Sequence, residues 1–455
     1  LGCGGDGTAS ITAVPPVVPG PPELRAANSI VASSVGAAVD YDATQNGQTF
    51  TDPAGKGLSY TASFSPAANG LTLQAGHVRG TPTVPTVTLV TLSATDGLAR
   101  TVTDHFTIVT FAAGLLKPTL PTVTDPYSDE AVPLPAHFVA PGPGSPVSAT
   151  DNTPPNNRTT DAGATLGRVL FYDPRLSAND KVSCGSCHKQ SLGFADTTAL
   201  SRGILGGLTA RHTPGISNAR FYQRGRFFWD EAAVTLEAQV LVPIQNPVEM
   251  GMTLDALELK LKAAGYYESL FQAAFGNKDM TRDQVSRALS QYVRALVSSG
   301  SKFDRAFAGG GQPNFPGVFT LEEQRGERVF RDAGCVRCHA TNAQVSDDTH
   351  NTGLDATITD AGAGNGRFKS PSLRNVAIRA PYMHDGRFAT LEQVVEFYNS
   401  GVQANPGLDQ RLRTPNGSPQ RLGLSSADKA ALVAFMRTLT DSSIITAQRF
   451  SNPFR

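Results

Sequence analysis

The sequence predicts a multidomain protein, with an all-β sandwich near its start followed by two mainly α-helical domains. Three observations carry that expectation. Residues 24 to 114 are poor in charge and rich in Thr, Val, Ala and Gly. From about residue 160 the apolar positions recur at helical spacing. The segment Cys184-Gly-Ser-Cys187-His188 returns as Cys335-Val-Arg-Cys338-His339, inside matching flanks. A chain of 455 residues can build two or three units that each bury a core. Its 39 Lys and Arg balance 39 Asp and Glu, so net charge gives no reason to expect nucleic acid or a strongly charged membrane surface. No stretch is apolar enough over about 20 residues to cross a bilayer.

The first 23 residues read as a flexible tail. Cys3, in LGCGGDGTAS, resembles the mature end of a bacterial lipoprotein, and a free cysteine in a disordered tail is the alternative. Over residues 24–114, alternating runs such as LSYTASFSP, VTLVTLSATDG and RTVTDHFTIVTF, separated by Gly, Pro and Asn, predict the short strands of a small sandwich. This region resembles bacterial cadherin-like or immunoglobulin-like domains. Lys56 stands where such domains often have an acid, so no Ca²⁺ site is expected there. His77 and His105 read as ordinary strand or loop residues. Residues 115–159 are proline-rich and predict an extended tether. Residues 160–310 and 311–455 then form the two helical domains.

In each Cys-x-x-Cys-His motif two cysteines flank a short turn and a histidine follows at once. That spacing suits two thioethers to haem vinyl groups, with the imidazole reaching the iron. A zinc site would need further Cys or His ligands at matched spacing, and the chain has no other cysteine pair. Cys184, Cys187 and His188 are therefore expected to hold one covalent haem c, and Cys335, Cys338 and His339 a second. Haem c and a trimmed export signal point to the periplasm.

The two halves read as an internal repeat. LGRVLFYD matches RGERVFRD, TPGISN (213–218) matches SPSLRN (370–375), and the Thr-Leu-Glu at 235–237 matches that at 390–392. This alignment sets Pro243 opposite Tyr398. A tyrosine can ligate haem iron through its phenolate, and a proline has no side-chain donor. The repeat thus predicts one haem closed by His339 and Tyr398, and one open haem with His188 alone on the protein side. Met383 and Met436 are rival ligands, Met436 in an amphipathic helix where methionine is more often core. His384 reads as haem-pocket structure, while His137 and His350 receive no role.

With these residues in place, the region from about 160 to 445 resembles the bacterial dihaem cytochrome c peroxidase superfamily and, within it, the MauG branch. The carriers are FFWD and EAQVLVPIQNPVEMG. The resemblance implies Glu249 as the distal acid over the peroxide-binding haem, Gln239 and Pro243 in the same pocket, and Trp229 between the haems. It also implies tyrosine ligation at Tyr398. The family's blocking histidine has no counterpart in TALSRGILGG, which supports a site open in the ferric state. The family's Ca²⁺ lies between the haems, held by an asparagine and two carbonyls. Here the carbonyl segment Arg379 to Pro381 is present, but His212 stands at the asparagine position, and histidine is a poor calcium ligand. The activity implied is reduction of H₂O₂, with oxidation shared over both haems as a bis-ferryl state. Electrons would come from a small periplasmic redox protein, or residues of a partner protein would be oxidised. Relatives often form homodimers. A non-enzymatic electron-transfer cytochrome, and a sandwich serving as an adhesion or docking module, are the competing readings.

Overall fold

A computed structural model describes residues 19–67, 69–140, 146–309, 312–345 and 348–454; Cys3 lies outside them. The chain divides into two compact units between Ala113 and Gly114.

The first unit is all β. Strands β1 (Glu23–Leu24) and β4 (Phe50–Thr51) form a short pair. A four-stranded sheet runs β2 (Val31–Ser34), β9 (Thr101–Phe111), β8 (Thr86–Thr95) and β5 (Ser59–Ser65), with β2 parallel to β9 and the other pairs antiparallel. A three-stranded antiparallel sheet runs β3 (Val39–Asp42), β7 (His77–Gly80) and β6 (Leu71–Gln74). Alternation sends Val90, Leu92 and Ala94 of β8 inward, where they meet Phe106 and Ile108 of β9 and Leu71 and Val78 of the smaller sheet. The two sheets thus share one apolar core, the arrangement of a sandwich.

In the second unit the repeat shows as two helix crossings. Helix Asp161–Tyr172 meets helix Arg282–Ala295 at Gly167, where a Cβ would lie 2.0 Å from the Ala288 carbonyl oxygen. Helix Leu321–Asp332 meets helix Ser426–Arg437 at Gly326, where a Cβ would lie 1.9 Å from the Ala431 oxygen. A glycine is needed at each crossing because the partner's backbone comes this close. The helices start on polar caps: the Thr160 hydroxyl accepts from the Gly163 N–H, and Thr320 forms a capping box with Glu323. Around the crossings sit two cores, one containing Phe171, Leu289 and Tyr292, the other Phe330, Leu432 and Phe435.

The proline-rich segment is not a free tether. Tyr127 packs in the first helical core, and Phe138 and Val147 pack with Phe221 and Tyr222 of the first repeat and Val345 of the second. Charges reinforce this packing, with Asp129 taking two hydrogen bonds of 2.8 Å from Arg220. His137 is not a loop residue without a role either. Its Nε2 lies 2.8 Å from Asp304, whose carboxylate also receives the fully buried Arg374. The expectation failed because proline content reports backbone stiffness, and the apolar residues between the prolines decide whether a stiff segment packs. The C-terminal tail likewise returns to the first repeat: the Tyr172 and Tyr292 hydroxyls donate to the Phe450 carbonyl at 2.8 and 3.0 Å.

Candidate functional site

Cys184–Cys187 form one helical turn, fixed by a reciprocal cap between Ser183 and Ser186. His188 follows as the first non-helical residue. Its Nδ1–H donates to the Phe194 carbonyl at 2.9 Å, which sets the ring plane and leaves Nε2 for a metal. Burial pushes its pKa down, which favours the neutral imidazole, the form a metal ligand needs.

These residues open onto a cavity of about 520 Å³ whose walls also include Gln239, Pro243, Glu249 and Trp229. The structure therefore brings together the residues predicted for the open haem, although they span 66 positions from Cys184 to Glu249. The volume lies in the range of cofactor pockets. The Glu249 carboxylate accepts from the Asn246 side-chain amide at 2.9 Å. Burial pushes its pKa above the ordinary carboxyl range, with Asn246 opposing. Its backbone is held too: the Ile204 N–H donates to the Glu249 carbonyl at 3.1 Å. A Cβ at Gly203 would lie 1.6 Å from the Val248 oxygen, so the segment that lacks a histidine is pinned beside the carboxylate.

Thr235 and Thr390 cap equivalent helices, Leu236–Gln239 and Leu391–Glu396. The first leads into helix Val242–Gln245 with Pro243 at its start, the second into a π-helical turn, Phe397–Gly401, that carries Tyr398. Such turns are frequent at functional sites. Burial pushes the Tyr398 phenol well above its usual range. A cation at that position would favour the phenolate. Desolvation pushes the His339 pKa down to about 4, which favours the neutral imidazole. Met383 packs in the same apolar cluster as Tyr398, whereas Met436 is a core residue of helix Ser426–Arg437.

Trp229 sits at the seam between the repeats. Its indole N–H donates to the His212 carbonyl at 2.7 Å, and the His212 N–H donates to the His384 carbonyl at 2.7 Å. The Trp229 ring meets the His384 ring edge-on at 6.4 Å, and His384 stacks on Phe368 at 3.7 Å. The His212 Nδ1–H is spent on the Thr198 carbonyl at 3.0 Å. Arg211 bridges the seam with two hydrogen bonds of 2.8 Å to Asp360.

Residues 161–312 match the family model described as di-haem cytochrome c peroxidase, and residues 323–440 match that of cytochrome c. The methylamine utilization protein MauG of Methylorubrum extorquens is 35% identical over 300 residues, covering 63% of this chain and 80% of that protein. This chain belongs to the dihaem cytochrome c peroxidase/MauG family. The cytochrome c551 peroxidase of Nitrosomonas europaea is 32% identical over 289 residues, covering 61% of this chain and 79% of that one. Among solved structures, a MauG-like protein associated with microbial copper homeostasis superposes with a TM-score of 0.58 at 33% identity, covering 67% of this chain and 97% of that chain. The diheme peroxidase BthA of Burkholderia thailandensis, at 23% identity and a TM-score of 0.52, shares the fold. The protein is thus a haem peroxidase with two covalently bound c-type haems, and the purely electron-carrying alternative falls.

Two residues of this dihaem peroxidase escaped the sequence reading. His350 is 3% exposed, with its Nδ1 2.7 Å from Asp409. Burial alone would lower its pKa, and the Asp409 carboxylate opposes that effect. Its partner lies 59 residues away, beyond the reach of local spacing. Lys369 lines the His188 cavity. Its only sequence signal is its place beside SPSLRN, where it is the repeat counterpart of His212.

Proposed function

We propose that this peroxidase reduces hydrogen peroxide in the cavity where His188 would hold one haem, and shares the oxidising equivalents with a second haem that His339 and Tyr398 would hold. The observation that carries the reading is the pairing of Pro243, on the wall of a cavity with His188, Gln239 and Glu249, with Tyr398 at the equivalent place in the second repeat. Bound haem iron supplies a Lewis acid for a peroxide oxygen and electrons for breaking the oxygen–oxygen bond.

The side chains move and place the protons. Glu249, ionised, would take a proton from one oxygen of hydrogen peroxide and return it to the other, which would leave as water. Its raised pKa brings it closer to the working pH, so that both directions of transfer proceed. The Asn246 amide fixes the carboxylate, and Gln239 offers an amide to orient the peroxide. Pro243 leaves room for the substrate where a ligating side chain would fill it. Trp229, tied to the His212 carbonyl, is the aromatic relay between the two sites. The Tyr398 phenolate favours the oxidised form of the second haem because it is anionic. The electrons come from a partner protein in the periplasm, a small redox protein or one whose own residues are oxidised.

EPR of the as-isolated ferric protein, before and after stoichiometric H₂O₂, tests this. One high-spin and one low-spin signal, both lost without added reductant, are expected. Two low-spin signals indifferent to peroxide would overturn it.

A further inference from the structure

The wall of the His188 cavity is completed by the second repeat, through Val345 and residues 369–372. The strand Phe368–Lys369 is fixed on both sides: it pairs with Thr349–His350, and the Lys369 N–H donates to the Trp229 carbonyl at 2.7 Å. From this anchored backbone the Lys369 ammonium reaches 4.7 Å from the centre of the Tyr222 ring and 5.0 Å from that of Phe227. Both rings line the cavity, at 1% and 4% exposure.

Among the described residues, no carboxylate forms an ion pair with this ammonium. Glu231, the acidic group that acts on it, is already taken by the Tyr222 hydroxyl and by two hydrogen bonds from Arg224 at 2.8 and 2.9 Å. Burial pushes the Lys369 pKa down to about 8, with Glu231 opposing. The other wall cations are spent differently. Arg211 is held by Asp360 and Asp230, and Arg202 donates to the Gly206 carbonyl at 3.2 Å. The two ring faces attract this ammonium, but they offset only part of the cost of taking an unpaired charge out of water, and an anion beside it would offset the rest. A c-type haem carries two propionate carboxylates, and a haem attached at Cys184 and Cys187 would occupy the cavity that Lys369 also lines.

We infer that Lys369 is an anion site for the first haem, its ammonium pairing with a propionate of the haem attached at Cys184 and Cys187. This rests on the assignment of a haem to those cysteines. The second repeat then contributes a charge to the first haem's pocket, on the same strand that anchors the Trp229 backbone. Docking of the two repeats and the redox balance of the first haem become linked.

The test is a spectroelectrochemical titration of the full chain, holo, as wild type, Lys369→Gln and Lys369→Arg. Loss of the cation leaves the propionate uncompensated and favours the ferric form. In Lys369→Gln the midpoint of the high-spin haem is expected to fall by at least 59 mV, a tenfold change for one electron, with the low-spin haem unmoved. Lys369→Arg should restore most of that shift. An unmoved high-spin midpoint, or an equal shift of both haems, would overturn the inference. Resonance Raman of the wild type guards against a variant that fails to fold. The propionate bending band of the high-spin haem should sit at its hydrogen-bonded frequency, and a free-propionate frequency would overturn the inference. The EPR spin states of the same samples report separately on the open-haem reading.

Discussion

Glu249→Gln removes the proposed proton carrier while keeping its shape. Among the described residues the wild-type carboxylate has one side-chain partner, the Asn246 amide at 2.9 Å, and a glutamine carbonyl can accept the same bond. The main-chain tie from Ile204 is untouched by the change. Packing and backbone position should therefore survive, and the loss should be that of acid–base catalysis alone, about 100- to 10,000-fold. This corresponds to about 3 to 5 kcal/mol of barrier, at about 1.4 kcal/mol per tenfold. Stopped-flow absorbance of the ferric protein mixed with H₂O₂ measures the rate directly, and the haem-to-protein ratio confirms that both haems are attached. A variant that reacts within about fivefold of the wild type, with both haems present, would refute the role of Glu249 in the proton transfer.

Tyr398→Phe should abolish the low-spin EPR signature of the second haem or replace it with another, while Met383→Leu leaves it unchanged; the opposite pattern would make Met383 the ligand. Asn246→Ala removes the hydrogen bond that lowers the Glu249 pKa, so the rising limb of the peroxide rate against pH should move to higher pH. Against the opposing effect of burial, Arg374 and His137 hold the Asp304 carboxyl well below its usual range. That stabilisation is complete above the unfolded carboxyl pKa of about 4 and fades as pH falls toward the folded value. Asp304→Asn should cost about 3–5 kcal/mol at neutral pH, by stranding Arg374, and flatten the acid side of a denaturation profile. Gly167→Ala and Gly326→Ala should each lower stability by about 1–3 kcal/mol in urea titrations, despite alanine's better helix propensity, because a Cβ would press on a backbone oxygen.

The sequence by itself determined much of this protein. Strand alternation specified the first unit, because a residue's side of a sheet follows from its parity. The two Cys-x-x-Cys-His motifs specified covalent haem, because thioether geometry demands that spacing. The repeat pairs Pro243 with Tyr398, because equivalent helices place equivalent residues at equivalent depth, and the fold places those two after helices capped by Thr235 and Thr390. Tertiary structure decided the rest. Proline content suggested a tether over 115–159, but Phe138 and Val147 found apolar partners on both repeats, and burial outweighed the stiffness of the chain. His137 gained its buried carboxylate partner only when Asp304, 167 residues away, was folded against it. Lys369 acquired meaning only when the second repeat closed the first repeat's cavity. Local spacing reports what a segment can bind, and only the packing of distant segments decides which charges are left without a partner.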